Sequence, residues 1–141
     1  MNTIAIASDH AGYDLKESVK SYLDNLGYEV LDFGTNSKES VDYPDYANEL
    51  CKSIDDGRCS IGILICHSGI GMSIAANRHK KIRAALCYNP ELVRLTRQHN
   101  DSNVLVLGSG YVSEELAFKM IDTFLNTEFE GGRHQSRIDK I

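Results

Sequence analysis

Five short apolar runs alternate with helical periodicity from one end of the chain to the other: Ile4 to Ala7, Glu29 to Phe33, Ile61 to Cys66, Arg83 to Cys87 and Val104 to Gly108. Two of them, Ile61 to Cys66 and Val104 to Gly108, are apolar at nearly every position, the mark of a strand covered on both faces. Strands joined through helices by connections of a few residues pair in parallel and cross over right-handedly, which puts helices on both sides of the sheet. The expected fold class is therefore α/β: a Rossmann-like three-layer α/β/α sandwich with a five-stranded parallel sheet.

The helices carry their own signals. Leu15, Val19, Leu23 and Leu26 recur at intervals of four, four and three, which places them on one face, and Gly27 follows as a stop. A second helix is expected from Pro44 and a third after Gly69. A fourth begins at Asn89-Pro90-Glu91, which reads as an N-cap, a Pro at the first helical position and an acid in the first turn. The fifth starts at Ser113, with Glu114 and Glu115 at its positive end and Leu116, Met120, Ile121 and Phe124 on its buried stripe. The last segment, 128–141, is polar and basic and reads as a short extra helix or a tail. A chain of 141 residues has room for one domain, 1–141, and no linker or repeat divides it.

Fifteen Lys and Arg against twenty Asp and Glu leave a net charge of -5. That balance excludes a general affinity for nucleic acid or for acidic membranes, so an anionic ligand has to be held by a local basic cluster. No apolar stretch approaches the roughly 18 residues that span a bilayer. The N-terminus lacks the basic start of a signal peptide, and a cytoplasmic protein is expected. Cys51, Cys59, Cys66 and Cys87 have no CxxC spacing, which predicts reduced thiols, no zinc site and no metal or other cofactor.

In sheets of this kind ligands bind beyond the carboxyl ends of the strands. The most informative such end is Cys66-His67-Ser68-Gly69-Ile70-Gly71, where a buried strand runs into a thiol, a glycine loop and a helix start. Unpaired N–H groups and the positive end of a helix favour negative charge on a sulfur and on a bound oxyanion alike. A reactive Cys66 beside an oxyanion pocket is one reading; a buried structural Cys before a plain turn is the other. The loop is no Walker A, for it lacks Gly-Lys-Ser/Thr, and no dinucleotide fingerprint, because the third glycine is missing after Gly69-Ile70-Gly71. A cysteine phosphatase loop would need an Arg where this chain has Met72.

Asp9 and His10, after the first strand, offer a carboxylate and an imidazole at the same edge, as local caps or as contacts to hydroxyls and phosphate. His99, in the last turn of the fourth helix, suits either a capping cation or a general acid or base. Arg133 and Arg137 lie four apart on the expected extra helix, a spacing suited to a phosphate dianion or to a solvated basic tail. The denser run Arg78, His79, Lys80, Lys81 and Arg83 precedes a strand, on the amino-terminal side of the sheet, and reads as a solvated face.

Ile6 to Gly12, Asp42-Tyr43-Pro44, Cys66 to Gly71 with Ile74 to Asn77, Arg97 to Asp101, and Gly131 to Gln135 with Arg137 together resemble the type B ribose-5-phosphate isomerase family, which includes the galactose-6-phosphate isomerase subunits. The match covers essentially the whole chain, in order. The resemblance implies a metal-free aldose-ketose isomerase interconverting ribose 5-phosphate and ribulose 5-phosphate through an enediolate. It makes Cys66 the base that moves a proton between C2 and C1 and gives His99 a part in ring opening. Asp9, His10, Tyr43, His67, Ser68, Gly69, Ile70, Gly71 and Asn100 would contact the sugar, with Arg133 and Arg137 on its phosphate. It also implies a site shared between two subunits, with His99 and the arginines of 128–141 coming from the partner, so a homodimer is the smallest functional unit and a dimer of dimers the next. Two positions depart from the family's pattern: His67 stands where many members have Gly, and Gly110 where many have Arg. Isomerisation of a six-carbon aldose phosphate (allose or galactose 6-phosphate) and non-catalytic sugar-phosphate binding are the alternatives.

Overall fold

The computed structural model describes residues 3–141. Its elements are β1 (Thr3–Ser8), α1 (Tyr13–Asn25), β2 (Glu29–Asp32), α2 (Tyr43–Asp55), β3 (Ile61–Cys66), α3 (Ile70–Ala76), β4 (Ala84–Leu86), α4 (Pro90–Asn100), β5 (Val104–Gly108), α5 (Glu114–Asn126) and α6 (Arg133–Ile138). All strands pair in parallel, in the order β2-β1-β3-β5-β4. The α/β class and the five strands expected from the apolar runs are present.

Alternate residues of each strand face opposite layers. Ile4, Ile6, Ile63, Ile65, Leu105 and Leu107 pack with Val19 and Leu23 of α1, Val93 of α4 and Ala117, Met120, Ile121 and Phe124 of α5. Ala5, Ala7, Leu64, Cys66 and Val106 face the other way, onto Ala47, Leu50 and Cys51 of α2 and Met72 and Ala76 of α3. Small residues at 5 and 7 of β1, an interior strand, let α2 come close. No helix among the described residues is long and apolar enough to cross a membrane.

Several expected boundaries shift. β2 stops at Asp32 rather than Phe33, β4 spans only 84–86 of the expected 83–87, and α2 begins at Tyr43, one residue before the proline. Leu26 is half exposed because it is the C-cap of α1 rather than part of its buried stripe. The run 78–83 is not simply a solvated face. Arg83 donates to the carbonyls of Asn100 and Asp101, and His79 bonds Asn48, so these side chains bind the amino edge of the sheet together.

Lys16 is fully buried. Its ammonium bonds Asp32 at 2.6 Å and Glu17 at 2.9 Å, while Lys20 also reaches Asp32 at 2.7 Å. Burial pushes the Asp32 carboxyl up, but hydrogen bonds from Lys16, Lys20 and the Gly34 N–H outweigh it and hold the group below its ordinary value. The stability this supplies is present above the unfolded-state value and disappears as pH falls through the lower folded-state value. Asp32→Asn leaves the Lys16 charge with Glu17 alone and is expected to cost about 3 kcal/mol at neutral pH. The loss should begin to shrink below about pH 4, where the unfolded chain's carboxylate takes up a proton, and go on shrinking as pH falls through the lower folded-state value. Urea melts across pH check both; an equal loss at acid and neutral pH would mean that packing, not charge, sets the cost.

Candidate active site

The strand order reverses direction between β1 and β3. The chain steps outward from β1 to β2 on one side, and from β3 to β4 on the other, so the loops leaving β1 and β3 diverge and open a crevice at the carboxyl edge. Gly12 opens α1 hard against β3: a Cβ there would lie 2.6 Å from the Ile65 carbonyl oxygen. The Asp9 loop is thereby held beside the Cys66 loop.

Cys66 ends β3, paired with Gly108 of β5, and is almost fully buried. Its Sγ accepts the Gly69 N–H at 3.2 Å. Gly69 has φ +82, the left-handed region that glycine tolerates, and the turn it makes folds the peptide N–H back onto the sulfur. Ser68 Oγ accepts the Ile70 N–H, and the Tyr88 hydroxyl donates to the Ser68 carbonyl at 2.8 Å. The N–H groups of Gly71 and Met72, in the first turn of α3, have no acceptor among the described residues. A sulfur and open donors share one short loop.

The other expected residues of this edge gather around it. Asp9 is buried, and its Oδ1 accepts the Gly12 N–H at 3.1 Å, so one carboxylate oxygen ties the turn into α1. His10 Nδ1 accepts the Val41 N–H at 3.1 Å, which puts the ring proton of the neutral tautomer on Nε2. The Tyr43 ring lies over Gly71, where a Cβ would come within 2.6 Å of it. His67 is exposed, and its imidazole occupies the space that a side chain at Gly110 would need, edge-on to Tyr111. The two departures from the family pattern thus meet in space: the ring at 67 fills the position that a side chain at 110 would take and would have to swing aside to admit one. An open cleft of about 400 Å³ beside His67 is lined by Ala11, Asp14, Ser109, Gly110 and Glu114 among others.

His99, Asn100, Arg133 and Arg137 lie elsewhere. α4 leaves the carboxyl edge at its N-cap Asn89 and runs eleven residues back, about 16 Å at 1.5 Å per residue. Its last carbonyls are held by Arg83, the residue just before β4, so His99 and Asn100 sit at the amino edge. The Glu130 N–H donates to the Gln98 carbonyl, which docks α6 and its two exposed arginines at that same edge. There the His99 and His134 rings stack with centroids 4.4 Å apart. Within one chain, Cys66 and His99 occupy opposite ends of the sheet. Glu130, which approaches both histidines, had no signal in the sequence except its place four residues before His134.

Residues 4–141 match the family described as Ribose/Galactose Isomerase. The chain belongs to that family. As a Ribose/Galactose Isomerase family member it is an isomerase, and its relatives match it along nearly their whole length. Ribose-5-phosphate isomerase B of Escherichia coli (strain K12) is 46% identical over 141 residues, covering 100% of this chain and 95% of its own. The structure of a ribose 5-phosphate isomerase from Thermotoga maritima is 57% identical with a TM-score of 0.97, covering 98% of this chain and 95% of its own. Ribose-5-phosphate isomerase B of Mycoplasma genitalium, solved with bound ribulose-5-phosphate, is 41% identical with a TM-score of 0.93 and covers 98% and 92%. The Rossmann-like sheet described above is the fold that these family members share.

Proposed function

We propose that this isomerase interconverts ribose 5-phosphate and ribulose 5-phosphate in a site built between two copies of the chain. Likeness to the Mycoplasma genitalium protein, which holds ribulose-5-phosphate, supports the substrate. Cys66, with its sulfur beside the open donors of α3, supports the chemistry. Cys66 as thiolate takes the proton from C2 of the open-chain aldose and returns it to C1, while the hydroxyl proton passes from O2 to O1. The enediolate formed between these steps carries negative charge on oxygen. Fixed N–H donors such as those of Gly71 and Met72 suit that charge, each worth about 3 kcal/mol of barrier by analogy with oxyanion holes.

Charge and position support the second copy. The carboxyl-edge loops 9–12, 33–42, 66–69, 87–89 and 109–113 contain one Lys or Arg, Lys38, and it pairs with Asp14 at 3.0 Å. A phosphate dianion bound there needs cations from elsewhere, and Arg133 and Arg137 of a second copy can supply them. His99 and Asn100 stand at the same edge as those arginines and would arrive with them, His99 to open the furanose ring and Asn100 to bind a hydroxyl. The Cys66 loop is rimmed by exposed apolar side chains, Ile70, Ile74, Tyr88, Leu92 and Tyr111, which suit a homodimer interface. Asp9, His10, Tyr43 and the backbone from His67 to Gly71 would complete the pocket.

Purified protein is expected to form ribulose 5-phosphate from ribose 5-phosphate, measured by a coupled assay, and to keep that activity in EDTA. Among ribose 5-, allose 6- and galactose 6-phosphates, the pentose should give the highest kcat/KM. A higher value for a six-carbon sugar would reassign the substrate, and binding without ketose formation from any of them would reduce the protein to a sugar-phosphate sensor.

A further inference from the structure

We propose that His99, Glu130 and His134 form a binding site for a divalent transition-metal ion of the zinc class, open in the absence of sugar and inhibitory when filled. Among the described residues this is the one group of three His, Cys, Asp or Glu side chains whose ligand atoms all lie within 4.8 Å of one another. The Glu130 carboxylate is 3.5 Å from His134 Nε2 and 3.9 Å from His99 Nε2. Two imidazoles and one carboxylate, with a fourth position left to water, make a donor set that zinc accepts in tetrahedral geometry. Bonds of 2.0–2.1 Å to a tetrahedral ion hold neighbouring ligand atoms about 3.3 Å apart, so Glu130 has to close by about 0.2 Å on His134 and about 0.6 Å on His99, and the widest pair, within 4.8 Å, by up to about 1.5 Å, as the stacked imidazoles turn their in-plane lone pairs towards one point.

The backbone prepares this arrangement. The Glu130 N–H donates to the Gln98 carbonyl, fixing the glutamate beside His99, and the positive φ values of Gly131 and Gly132 turn the chain so that α6 brings His134 back over it. His134 is buried and its ring is held against that of His99, whereas Glu130 is half exposed and free to swing onto an ion. Arg133 and Arg137 on α6 are exposed and oppose a cation, while Arg97 of α4 is already engaged by Asp101. These charges set the affinity below that of a closed structural site, which suits an ion that comes and goes. The inhibitory part rests on the function proposed above, since an ion on His99 would withhold that imidazole from the sugar.

Calorimetric titration of untagged protein with zinc chloride tests the site without reference to turnover. One ion per chain is expected, with binding weakened about 100-fold or more in Glu130→Gln, whose exposed position leaves folding intact, and likewise in His134→Gln. Cys66→Ala should bind zinc as the wild type does. Unweakened binding in Glu130→Gln, loss of binding in Cys66→Ala, or no binding at all would overturn the proposal. In the coupled assay, zinc should inhibit the wild type, EDTA should reverse it, and Glu130→Gln should need correspondingly more zinc; turnover insensitive to a bound ion would overturn the inhibitory role. Zinc binding in a protein that turns over no sugar phosphate would leave the site standing and remove the isomerase reading instead.

Discussion

Cys66→Ala is expected to lower kcat for ribose 5-phosphate by at least about 1000-fold, the upper part of the range for losing a general base, with KM changed little. No other thiol can substitute. Burial drives the Cys51 thiol up to about 12, with the charge of Asp55 adding to it, and drives Cys87 up to about 11. Burial also raises Cys59, although Ser53 and Arg58 offset part of the effect. Removing the Cys66 sulfur strands the Gly69 N–H it accepts, at about 1–3 kcal/mol, so the melting temperature should fall while the fold persists. Cys66→Ser separates base from scaffold, because a hydroxyl still accepts that N–H yet is far too weak an acid to serve as an anionic base at neutral pH. Circular dichroism should show both variants folded and sugar-phosphate binding should survive in both. A Cys66→Ser enzyme within tenfold of wild type would remove the sulfur from the chemistry and return Cys66 to the role of a buried strand end.

The sheet was readable because burial on both faces leaves a parallel strand little besides apolar residues, and the helix starts because caps are local. Asn89 accepts the Leu92 N–H and Ser113 the Leu116 N–H, each three residues on, as their positions before Pro90 and Glu114 anticipate. What escaped depends on residues distant in sequence. Lys16 follows a residue of the apolar stripe and looks solvated, yet the end of β2 brings Asp32 against it and makes burial tolerable. His67 and Gly110 look like two unrelated departures until β3 and β5 are known to be neighbours, with Cys66 level with Gly108. The expected caps and contacts at Asp9 and His10 were both legible as possibilities; only the fold says that Asp9 ties Gly12 and that His10 ties Val41. The separation of Cys66 from His99 follows from order alone, since a helix leaving the carboxyl edge must end at the amino edge.

That separation makes the strongest test of a shared site a mixture of two dead proteins. On the proposed reading Cys66→Ala lacks the base, and Arg133→Ala/Arg137→Ala lacks the phosphate cations; each alone should then have activity below about 1% of wild type, given the losses expected for a base and for a bidentate anion clamp. In a two-fold dimer a residue reached across the interface in one site is reached across it in the other as well. A mixed dimer therefore carries one site with both defects and one site with neither. Random re-pairing of equal amounts makes half of all dimers mixed, each with one intact site of two, so about one quarter of wild-type activity should return. Subunits exchanged by dilution and reconcentration, with mixed dimers followed by native mass spectrometry, link the recovery to the pairing itself. If mixed dimers form and activity stays at the level of the parents, Cys66 and the arginines serve the same chain's site. The 16 Å course of α4 would then have to be undone by a rearrangement of α6, because Glu130, bonded to the Gln98 carbonyl, docks the helix that carries Arg133 and Arg137 at the amino edge of the sheet.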